Sequence, residues 1–401
     1  MLFLLVKMEI YEPQEDSYLL NKFVNHYASG RVLDLGTGSG IQALTVLTNP
    51  LVKEVLAVDI NETAVKALQK EVNEKKIKKI KVLKSDLFEN VKGQFNLIIF
   101  NPPYLPQDPG ITDTALYGGK KGWEISERFF KEVANYLTPE GIILFLFSSL
   151  TNKSKIDQII FHCLLQFKEI GRKKIAFEEL YVYEITKTTL LKTLEKKGIR
   201  TIHYFAHGQR GVVYQGILNT NLLAIKVKKE DSAAVGRIAN EVKWLKQLNK
   251  YSIGPKLLFY GKDYLAYEFV QGKFILNWIA HQPKEKIKSV LSSVLQQCFT
   301  LDKLKVNKEE LHRPFKHILI TKEDKPVLID FERCYKTDHP HNLTQVIEFI
   351  CRIRYELDKK GFNFTLEQLR ELAKQYKENQ GKNQGHSDTQ ILNQILNLIL
   401  R

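Results

Sequence analysis

The chain has 401 residues, of which 44% are hydrophobic and 26% charged, and this composition excludes the disordered, fibrous and membrane-spanning classes of protein. A chain of this length is expected to form two or three domains of roughly 100–200 residues each. The formal net charge of +15 is uneven. Residues 1–200 carry 28 basic and 24 acidic side chains, whereas the rest carry 32 and 21, so an acidic partner such as nucleic acid has to be considered for the second half.

The N-terminal sequence MLFLLVKMEIYEP has an apolar run of five residues after the first Met, and acidic residues follow soon after. This run is too short for the apolar core of a signal peptide or for a transmembrane helix. The cysteines lie far apart without a CxxC pair, which favours free thiols over a zinc site or a disulfide framework. They are Cys163, Cys298, Cys334 and Cys351. Together these features predict a soluble cytoplasmic protein without membrane association.

Short strand-like runs alternate with helical patterns through the first half, as a parallel sheet with crossover helices requires. Strands are predicted at Arg31–Leu35, Val55–Val58, 80–84, Phe95–Phe100 and 141–147, with a closing strand pair around 175–186. Helices are predicted over 39–48, 62–76, 122–137, 153–168 and Thr188–Lys197. This order predicts an α/β fold with a doubly wound sheet.

A different pattern begins at Gly198, so we predict two domains, 1–197 and 198–401. From Thr201 the second half is β-rich around a glycine-containing turn, followed by a predicted helix over 231–249, strands over 256–270 and mainly helices. The polar segment 375–390 predicts a linker or loose loop before a short apolar helix at 391–400. A helix predicted over 283–304 has one apolar stripe, typical of a core-facing helix. The stripe consists of Ile287, Val290, Leu291, Val294, Leu295, Cys298 and Leu301.

A glycine-rich turn follows the first predicted strand, in the segment Val32–Gly40. Without side chains at alternate positions, the backbone amides of such a turn can touch a ligand directly. Asp34 ends the strand before the turn, and Asp59 ends the next strand, where a carboxylate can accept both hydroxyls of a ribose. Asp86 follows the third strand and is placed for the amino group of an adenine. Three acidic residues in register favour an adenosine ligand over helix caps or strand-end turns. The turn residues expected to bind it are Gly36, Thr37, Gly38 and Gly40.

The sequence NPPY directly follows the apolar strand Phe95–Phe100. Its two prolines stiffen the turn, so the Asn101 side-chain oxygen and the Pro102 carbonyl can face a cleft as acceptors. Two acceptors here can hold a planar NH2 group and draw electron density toward its nitrogen, as an amide or base amine requires before it attacks a sulfonium methyl. Tyr104 can stack on that planar group. We therefore expect a catalytic role, and more than a rigid turn, for Asn101, Pro102, Pro103 and Tyr104.

Residues 1–190 resemble class I S-adenosylmethionine-dependent methyltransferases, which have a Rossmann-like sheet, and NPPY is typical of members that methylate amide or base nitrogens. The stretches IYEPQEDSYLL, over 10–20, and NPPYLP, over 101–106, with the loop ALYGG, over 115–119, are similar to the archaeal and eukaryotic branch of the HemK family. That branch methylates the glutamine of the GGQ motif in class I translation release factors, forming N5-methylglutamine. The resemblance implies S-adenosylmethionine as the cofactor and Asn101 as a contact of cofactor and substrate amide. It also implies cofactor binding by Ser17, Asp34, Gly36, Asp59, Asp86 and Leu87.

Members of this branch work with a small zinc-binding activator subunit that covers an apolar sheet edge. The chain has no zinc-finger spacing of its own, so such a partner is expected to be a separate protein. An alternative is that the NPPY site methylates an adenine or guanine amine in nucleic acid, since the motif serves that chemistry too. The first half has neither a recognition domain nor a strong positive field, which favours the release factor.

The second half contains AHGQRGVVYQG, over 206–216, and LLAIKVK, over 222–228, which resemble the glycine-rich loop and VAIK strand of protein kinases, with Ala206 in place of the first loop glycine. Tyr264–Val270 resembles the hinge strand, and Val327–Glu332 resembles the metal-binding DFG segment. The similarity is to predicted archaeal RIO-like serine/threonine kinases. It implies an α+β kinase-like domain that binds ATP and Mg2+, with Asp330 on the metal. The nucleotide contacts that it implies are Gly208, Gly211, Val213, Lys226, Glu241, Glu268 and Asp330.

The catalytic loop departs from the kinase pattern HRD-x4-N. Alignment of Ile318-Leu319 on the strand after the loop puts His312 where the catalytic Asp belongs and His317 where the metal-binding Asn belongs. Alternatives for a base are His312 itself, Asp302, Glu309 and Glu310. We therefore expect nucleotide binding and leave two roles open, a kinase or a pseudokinase docking module whose basic surface contacts RNA. A lysine-rich solvated surface explains the charge equally well.

Overall fold

The computed structural model describes residues 10–107, 116–207, 211–228, 236–380 and 385–400. The chain forms two compact units, Met1–Tyr204 and Phe205–Arg401. This division lies later than the predicted boundary between residues 197 and 198, and it falls inside a strand that begins at Ile199.

The first residues of that strand pack on the first unit, which explains the later division. Ile199 is buried and lines a small cavity together with Phe130 and Leu191. The ring of Tyr204 stacks on His162 with 3.8 Å between the ring centroids. The first residues of the strand therefore belong to the first unit.

A seven-stranded sheet forms the centre of the first unit. Its strands are β1 (Gly30–Leu35), β2 (Val52–Asp59), β3 (Ile80–Lys84), β4 (Phe95–Phe100), β5 (Leu137–Ser148), β6 (Leu165–Lys174) and β7 (Glu179–Lys187). The order across the sheet is β3-β2-β1-β4-β5-β7-β6. The first five strands pair in parallel, and β7 is antiparallel to both β5 and β6. The predicted doubly wound sheet is confirmed.

Helices cover both faces of this sheet, which is why its central strands are apolar throughout. They are α1 (Glu15–Tyr27), α2 (Ile41–Val46), α3 (Glu62–Glu74), α4 (Glu124–Tyr136), α5 (Lys153–His162) and α6 (Thr189–Lys196). On one face, Val32 and Leu97 pack with Leu20 of α1. On the other face, Phe145 packs against the rings of Phe129 and Phe130 of α4. The two layers hold the carboxyl ends of the parallel strands in a fixed position.

The helix predicted over 153–168 is too long. α5 ends at His162, Leu164 takes a left-handed backbone conformation with φ of 55°, and β6 begins at Leu165. The closing strand pair therefore starts ten residues earlier than predicted. β6 is an edge strand with mostly exposed or half-buried side chains, so its sequence lacks the apolar alternation that would have indicated a strand. The helix predicted over 39–48 is likewise shortened, to 41–46.

The second unit contains a five-stranded sheet, a three-stranded sheet and a two-stranded pair. The strands are β8 (Ile199–His207), β9 (Gly211–Leu218), β10 (Asn221–Lys228), β11 (Leu257–Tyr260), β12 (Tyr264–Glu268), β13 (Gly272–Phe274), β14 (Val306–Lys308), β15 (Ile318–Thr321), β16 (Pro326–Leu328) and β17 (Cys334–Lys336). The orders are β11-β12-β10-β9-β8, β13-β15-β16 and β14-β17. β10 is antiparallel to β9 and β12.

The helices of the second unit supply most of its core. They are α7 (Arg237–Leu248), α8 (Ile275–Ile279), α9 (Lys284–Lys303), α10 (Asn342–Arg352), α11 (Arg354–Asp358), α12 (Leu366–Asn379) and α13 (Gly385–Leu400). All seven residues of the apolar stripe predicted on α9 are buried, so the assignment of that stripe to the core is confirmed. The helix predicted over 231–249 corresponds to α7, and its start, up to residue 235, lies outside the described residues.

The linker predicted over 375–390 is wrong for most of its length. α12 extends to Asn379 and α13 begins at Gly385. Tyr376 is buried and its hydroxyl donates to Asp302 Oδ2 at 3.1 Å. Asp388 accepts from Lys303 Nζ at 2.7 Å. These long-range hydrogen bonds fix polar residues that composition alone had assigned to a loop.

All four cysteines lie in the described part of the chain and are free thiols, with Cys163 half-buried and the others buried. Burial raises the pKa of the Cys163 thiol to about 12, which makes it unreactive at neutral pH. Over the described ranges, every helix is too short or too polar to cross a membrane.

Candidate functional site

A cavity of about 380 Å³ opens at the carboxyl ends of β1, β2 and β4. Doubly wound sheets bind their ligands at this edge, and the volume lies within the roughly 300–1,000 Å³ of small-molecule sites. Gly40 does not line the cavity: an added Cβ would lie 2.5 Å from Leu68 Cδ1, so this glycine lets α2 approach α3. The other site residues predicted in the first unit meet here. They are Ser17, Asp34, Gly36, Thr37, Gly38, Asp59, Asp86, Leu87, Asn101, Pro102, Pro103 and Tyr104.

The glycine-rich turn between β1 and α2 has left-handed backbone at three positions. The φ angles are 65° at Gly36, 51° at Gly38 and 82° at Gly40. Residues with a Cβ rarely adopt this region, so the spacing of the glycines matches the conformation of the turn. Gly38 N donates to Asp59 Oδ2 at 2.8 Å, and Thr37 N donates to the carbonyl of Val58 at 2.9 Å. The turn is thereby tied to the end of β2.

Asp34 is buried beneath this turn. Its Oδ2 accepts from Thr37 Oγ1 at 2.6 Å and from Ala43 N at 3.1 Å. Burial raises the pKa of Asp34 to about 7, although both hydrogen bonds favour the ionised form. Asp34 therefore connects β1, the turn and α2, and with this pKa its carboxyl titrates close to neutral pH.

Asp59 and Asp86 differ in how they are held. Asp59 Oδ1 accepts a hydrogen bond from Asn61 N at 2.8 Å, and Asp59 Oδ2 accepts the bond from Gly38 N. Both carboxylate oxygens therefore accept hydrogen bonds from the backbone. Burial raises the pKa of Asp59. Asp86 is more exposed and pairs with Arg128 Nη2 of α4 at 2.8 Å. The carboxylate expected to face an adenine amino group thus has a cationic partner that also lines the cavity.

The Asn101 side chain is oriented by a carboxylate from α1. Asn101 Nδ2 donates to Asp16 Oδ2 at 3.0 Å, and Asp16 also accepts from the Tyr11 hydroxyl and from Ser17 N. With Nδ2 engaged, Asn101 Oδ1 is a buried acceptor that has no hydrogen-bond partner within the described residues. Such acceptors are rare in folded proteins, and this one belongs to the cavity wall, where an N–H group of a ligand can reach it.

Tyr104 lies beside the same carboxylate. Burial, together with the carboxylates of Asp16 and Glu178, raises the pKa of Tyr104 well above its ordinary value. The phenol therefore stays protonated at neutral pH and offers an aromatic face and a hydroxyl, but no negative charge.

Two glycines support the NPPY loop from behind. Leu105 N donates to the carbonyl of Leu116, and Gly118 N donates to the carbonyl of Leu105, both at 3.0 Å. A Cβ at Gly118 would lie 2.5 Å from the Pro103 carbonyl oxygen. A Cβ at Gly122, where φ is 85°, would lie 2.6 Å from the Tyr104 carbonyl oxygen. The backbone of the NPPY loop is therefore in close contact with the backbone of Gly118 and Gly122.

The cavity residues that were not predicted include three with polar or charged side chains beside the predicted ones, namely Tyr11, Asp16 and Arg128. Tyr11 and Asp16 lie in the stretch IYEPQEDSYLL, which resembles the HemK family but did not indicate a role for either residue. No spacing indicates that the first turn of α1 reaches Asn101, 85 residues away. The resemblance of this stretch to the HemK family was the feature of the sequence that could have indicated Tyr11 and Asp16.

Lys226 of β10 is the centre of a buried charged cluster in the second unit. Its Nζ lies 2.7 Å from Glu241 Oε2, 2.9 Å from Asp330 Oδ1 and 3.5 Å from Glu332 Oε2. Burial lowers the pKa of Lys226, but these carboxylates outweigh burial and hold it well above its ordinary value. The structure thus brings together three residues predicted for nucleotide binding from β10, α7 and the segment after β16.

The other predicted nucleotide contacts are placed differently. Gly208 lies outside the described residues. Gly211 begins β9, and a Cβ there would lie 3.0 Å from the carbonyl oxygen of Val227. Val213 pairs with Lys226 across β9 and β10. Glu268 ends β12, and its carboxylate pairs with Lys256 Nζ at 3.2 Å, so it does not join the Lys226 cluster.

The acidic alternatives for a base have structural partners. Glu310 is buried and accepts from Arg333 N at 2.9 Å. Asp302 is buried and accepts from Asn342 Nδ2 at 2.7 Å. His312 is exposed, with its Nδ1 2.7 Å from the carbonyl of Glu309. Neither Glu310 nor Asp302 is therefore a buried carboxylate without a partner.

His317 and Asp330 lie next to each other. His317 Nδ1 is 3.9 Å from Asp330 Oδ2, and it is buried without a hydrogen-bond partner in the described part of the chain. Burial, with Lys308 nearby, lowers the pKa of His317 to about 4, so its imidazole is neutral at neutral pH. Burial raises the pKa of Asp330, but Lys226 and Lys308 outweigh burial and bring it to about 2.

Residues 15–174 match the family model described as the methyltransferase small domain. This match covers strands β1 to β6 of the sheet, the glycine-rich turn and the NPPY loop, and it ends before β7 and before the second unit. The first unit therefore has the Rossmann-like fold of a methyltransferase.

A protein of Methanocaldococcus jannaschii, named as a putative protein N5-glutamine methyltransferase, is 40% identical over 179 residues, which are 43% of this chain and 90% of that protein. The release factor glutamine methyltransferase of Deinococcus radiodurans is 36% identical over 123 residues, 28% of this chain and 44% of that one. Among solved structures, the E. cuniculi Mtq2-Trm112 complex, responsible for methylation of the eRF1 translation termination factor, is 23% identical, covers 44% of this chain and 98% of that chain, and has a TM-score of 0.37. Through its first unit the chain belongs to the HemK-like methyltransferases.

Proposed function

We propose that the first unit transfers a methyl group from S-adenosylmethionine to the side-chain amide nitrogen of the GGQ glutamine of a class I translation release factor. The observation that carries this proposal is the buried Oδ1 of Asn101, which has no hydrogen-bond partner among the described residues, while Nδ2 of the same side chain donates to Asp16. The similarity to the Methanocaldococcus and Deinococcus proteins, both named for glutamine methylation, supports a glutamine amide as the acceptor of the methyl group.

The NPPY loop acts by accepting hydrogen bonds. A primary amide carries two N–H groups, and Asn101 Oδ1 and the carbonyl of Pro102 accept from them. Acceptors that are fixed before the substrate arrives stabilise the charge that develops on the amide, without reorganisation during the reaction. Histidine is absent from the described residues that line the cavity, and Tyr104 stays protonated, so the site positions the amide and supplies no strong base.

The residues of the cavity fit S-adenosylmethionine. Gly36 and Gly38 leave the backbone of the turn uncovered, and the cavity extends from this turn to the NPPY loop. Asp59 would hold the ribose, and Asp86 with Leu87 would hold the adenine. When bound, this cofactor supplies the methyl group at a sulfonium centre. Leu87 adopts φ of 47°, an uncommon conformation for a residue with a branched side chain, as is frequent at ligand sites.

The test is methyl transfer from radiolabelled cofactor to a purified class I release factor, with the GGQ glutamine intact or changed to Ala. We expect label on the intact factor alone. Asn101→Ala should lower the rate about 100- to 1,000-fold, the effect of removing one oxyanion-type group. Asn73→Ala is the matched control because Asn73 lies on the exposed side of α3 and should leave the rate unchanged. Label on the altered factor, or on nucleic acid alone, would overturn the proposal in favour of a different acceptor.

We also propose that the reaction depends on a small zinc-binding subunit. The resemblance of residues 10–20 and 101–106 to the archaeal and eukaryotic HemK branch, whose members work with such a subunit, supports this dependence. The first unit has two edge strands, β3 and β6, to which the subunit can bind. Addition of the purified subunit should raise the rate of methyl transfer by at least tenfold, and equal rates with and without it would contradict the dependence.

For the second unit we propose a kinase-like module that binds a nucleoside triphosphate. The observation that favours it is the contact of Lys226 with both Glu241 and Asp330, since kinases pair a strand lysine with a helix glutamate and hold metal on the Asp of the DFG segment. His312, at the position of the catalytic Asp, is an exposed imidazole, which supports nucleotide binding more strongly than phosphotransfer.

Binding of a fluorescent ATP analogue to the full chain tests this second function. Asp330→Asn should weaken binding of the metal–nucleotide complex at least tenfold, whereas Asp338→Asn, at an exposed ion pair with Lys305, should not change it. Phosphate transfer from labelled ATP, lost in Asp330→Asn, would identify a kinase. Unchanged binding in Asp330→Asn would contradict a kinase-like site and leave docking on RNA or protein as the role of this unit.

A further inference from the structure

The turn between β6 and β7 lies at the same edge of the first unit as the cavity. Ser148, the last residue of β5, pairs with Leu180 of β7, and Lys174 of β6 pairs with Glu179. Residues 175–178 therefore connect β6 to β7 beside the carboxyl end of β5. β5 is the parallel neighbour of β4, which leads into the NPPY loop. A molecule that enters the cavity from this edge therefore passes close to the turn.

Hydrogen bonds connect this turn to the NPPY loop. Glu179 N, directly after the turn, donates to Ser149 Oγ at 3.0 Å. Ser149 belongs to the short 3-10 helix that ends at Thr151, and Thr151 Oγ1 donates to the carbonyl of Tyr104 at 3.1 Å. The position of the turn relative to the NPPY loop is therefore fixed by hydrogen bonds on both sides of this short helix.

Phe177 of this turn has its ring in water. It is 95% exposed, more than any other large apolar side chain among the described residues. The ring buries almost no surface, so it contributes very little to the stability of this chain. Two further apolar side chains are exposed at the same edge: Leu150, which follows β5, and Leu116, which lines the cavity. Exposed apolar side chains around the opening of a cavity are typical of a surface that binds a second molecule.

Glu178, the next residue of the turn, has a buried Oε2 with no hydrogen-bond partner among the described residues. Burial and, after it, the carboxylates of Asp16 and Glu178 raise the pKa of Tyr104. Asp16 accepts hydrogen bonds from neutral groups, among them the Tyr11 hydroxyl and the Asn101 amide. A phosphate at this place would meet two carboxylates, whereas the main chain of a polypeptide brings N–H donors. These carboxylates favour a protein over a nucleic acid as the second molecule.

We propose that the turn over residues 175–178 docks the substrate protein, with Phe177 packed into an apolar patch of that protein beside the methylated glutamine. The proposal rests on the methyl transfer to a release factor proposed above. It adds a second requirement to the substrate, an apolar surface next to the glutamine. Phe177 does not line the cavity, so it contributes to binding of the substrate protein and not to the methyl-transfer step.

The experiment is steady-state methyl transfer by the full chain to a purified class I release factor, at saturating cofactor and saturating zinc-binding subunit. Phe177→Ser should raise the KM for the release factor at least tenfold, the usual loss for an aromatic anchor, and leave kcat within twofold. Phe177→Leu should keep this KM within threefold of the original. Leu51→Ser is the matched control, because Leu51 is an exposed apolar residue directly before β2, at the opposite edge of the sheet. Thermal unfolding should be the same in all three variants.

Two outcomes overturn the docking role of the turn while leaving the proposed function intact. One is a KM for the release factor that does not change in Phe177→Ser, whatever happens to kcat. The other is an unchanged KM together with a higher concentration of the zinc-binding subunit at half-maximal rate, which would assign the turn to that subunit. Failure of the proposed function is recognised separately, since the original chain would then label no release factor, or nucleic acid alone, and this result overturns both proposals.

Discussion

The two candidate sites of this chain differ in how their charged groups are paired. In the cavity of the first unit the carboxylates of Asp34 and Asp59 accept hydrogen bonds from backbone groups, and Asn101 is an uncharged amide whose Oδ1 has no hydrogen-bond partner among the described residues. The cluster of the second unit is buried charge, with Lys226 in contact with three carboxylates. The site proposed to position a neutral amide depends on geometry, whereas the site proposed to bind a nucleotide depends on charge. The comparison predicts that substitutions next to Asn101 mainly change the rate of methyl transfer, and that loss of Lys226 mainly changes stability.

The largest expected effect is on the stability of the second unit. Lys226→Ala removes the cation shared by Glu241 and Asp330 and should lower the free energy of unfolding by about 3–5 kcal/mol, because it leaves buried carboxylates without their counter-ion. Lys256→Ala is the control: its pair with Glu268 is exposed and should contribute less than about 1 kcal/mol. The free energy of unfolding of both variants is measured by denaturant unfolding, and hydrogen exchange of the peptides that contain β10 and α7 shows where the chain is destabilised. Similar decreases in the free energy of unfolding in the two variants would show that the Lys226 cluster contributes no more to stability than an exposed ion pair.

The corresponding change in the first unit is Asp16→Ala. It removes the acceptor that orients Asn101, so the amide can rotate, and the rate of methyl transfer should fall about 100-fold, the usual penalty for a small misplacement. Folding should be little affected. Glu15→Ala is the control because Glu15 is the exposed neighbour on the same turn and pairs with Lys173. Steady-state kinetics with both variants measure the effect, and equal rates would mean that Asp16 does not set the orientation of Asn101.

A third prediction concerns pH. The folded-state pKa of Asp34, about 7, lies above its value in the unfolded chain, roughly 4, so the stabilisation is present at low pH and is lost as pH rises toward 7. Between pH 5 and pH 7 the free energy of unfolding should decrease by about 2 kcal/mol through this group. Asp34→Asn cannot titrate and should remove this part of the pH dependence. Denaturant unfolding of the first unit at several pH values gives its free energy of unfolding as a function of pH. If this free energy depends on pH in Asp34→Asn as it does in the original chain, the dependence belongs to other groups.

The smallest expected effect concerns the support of the NPPY loop. In Gly118→Ala the new Cβ would overlap the Pro103 carbonyl oxygen, so the loop must shift and the rate of methyl transfer should fall about tenfold, or roughly 1.4 kcal/mol. Lys120→Ala is the control, because Lys120 is an exposed residue two positions away along the chain and the variant adds no atom next to the loop. Initial rates at saturating cofactor distinguish them. An unaffected Gly118→Ala variant would show that the loop is free to move.

Local patterns predicted the features that depend on neighbouring residues. β4 was predicted because its sequence, FNLIIF, is apolar on both faces, and the strand is buried on both faces. The glycine-rich turn was predicted because left-handed backbone demands glycine. The acidic residues of the first unit were predicted to converge because the carboxyl ends of parallel strands lie at one edge of the sheet.

Contacts between distant residues could not be predicted in this way. Asp16 and Asn101 are 85 residues apart, and Lys226 and Asp330 are 104 apart. The first pair was missed, and the second was found only through the order of residues shared with kinases. The polar ends of α12 and α13 were assigned to a loop because burial of Tyr376 depends on Asp302, which lies far away along the chain. Hydrophobic periodicity contains no information about such pairs.

The contact of Gly118 and Gly122 with the carbonyls of Pro103 and Tyr104 has a consequence for how this chain can evolve. Neither glycine needs to touch a substrate, yet each one limits the path of the loop that is proposed to do so. Natural sequences that keep NPPY should therefore keep glycine at both positions, and sequences that lose either glycine should also have changed the loop. Linked variation of this kind would give information about the catalytic loop from sequences alone, before any of those enzymes is purified.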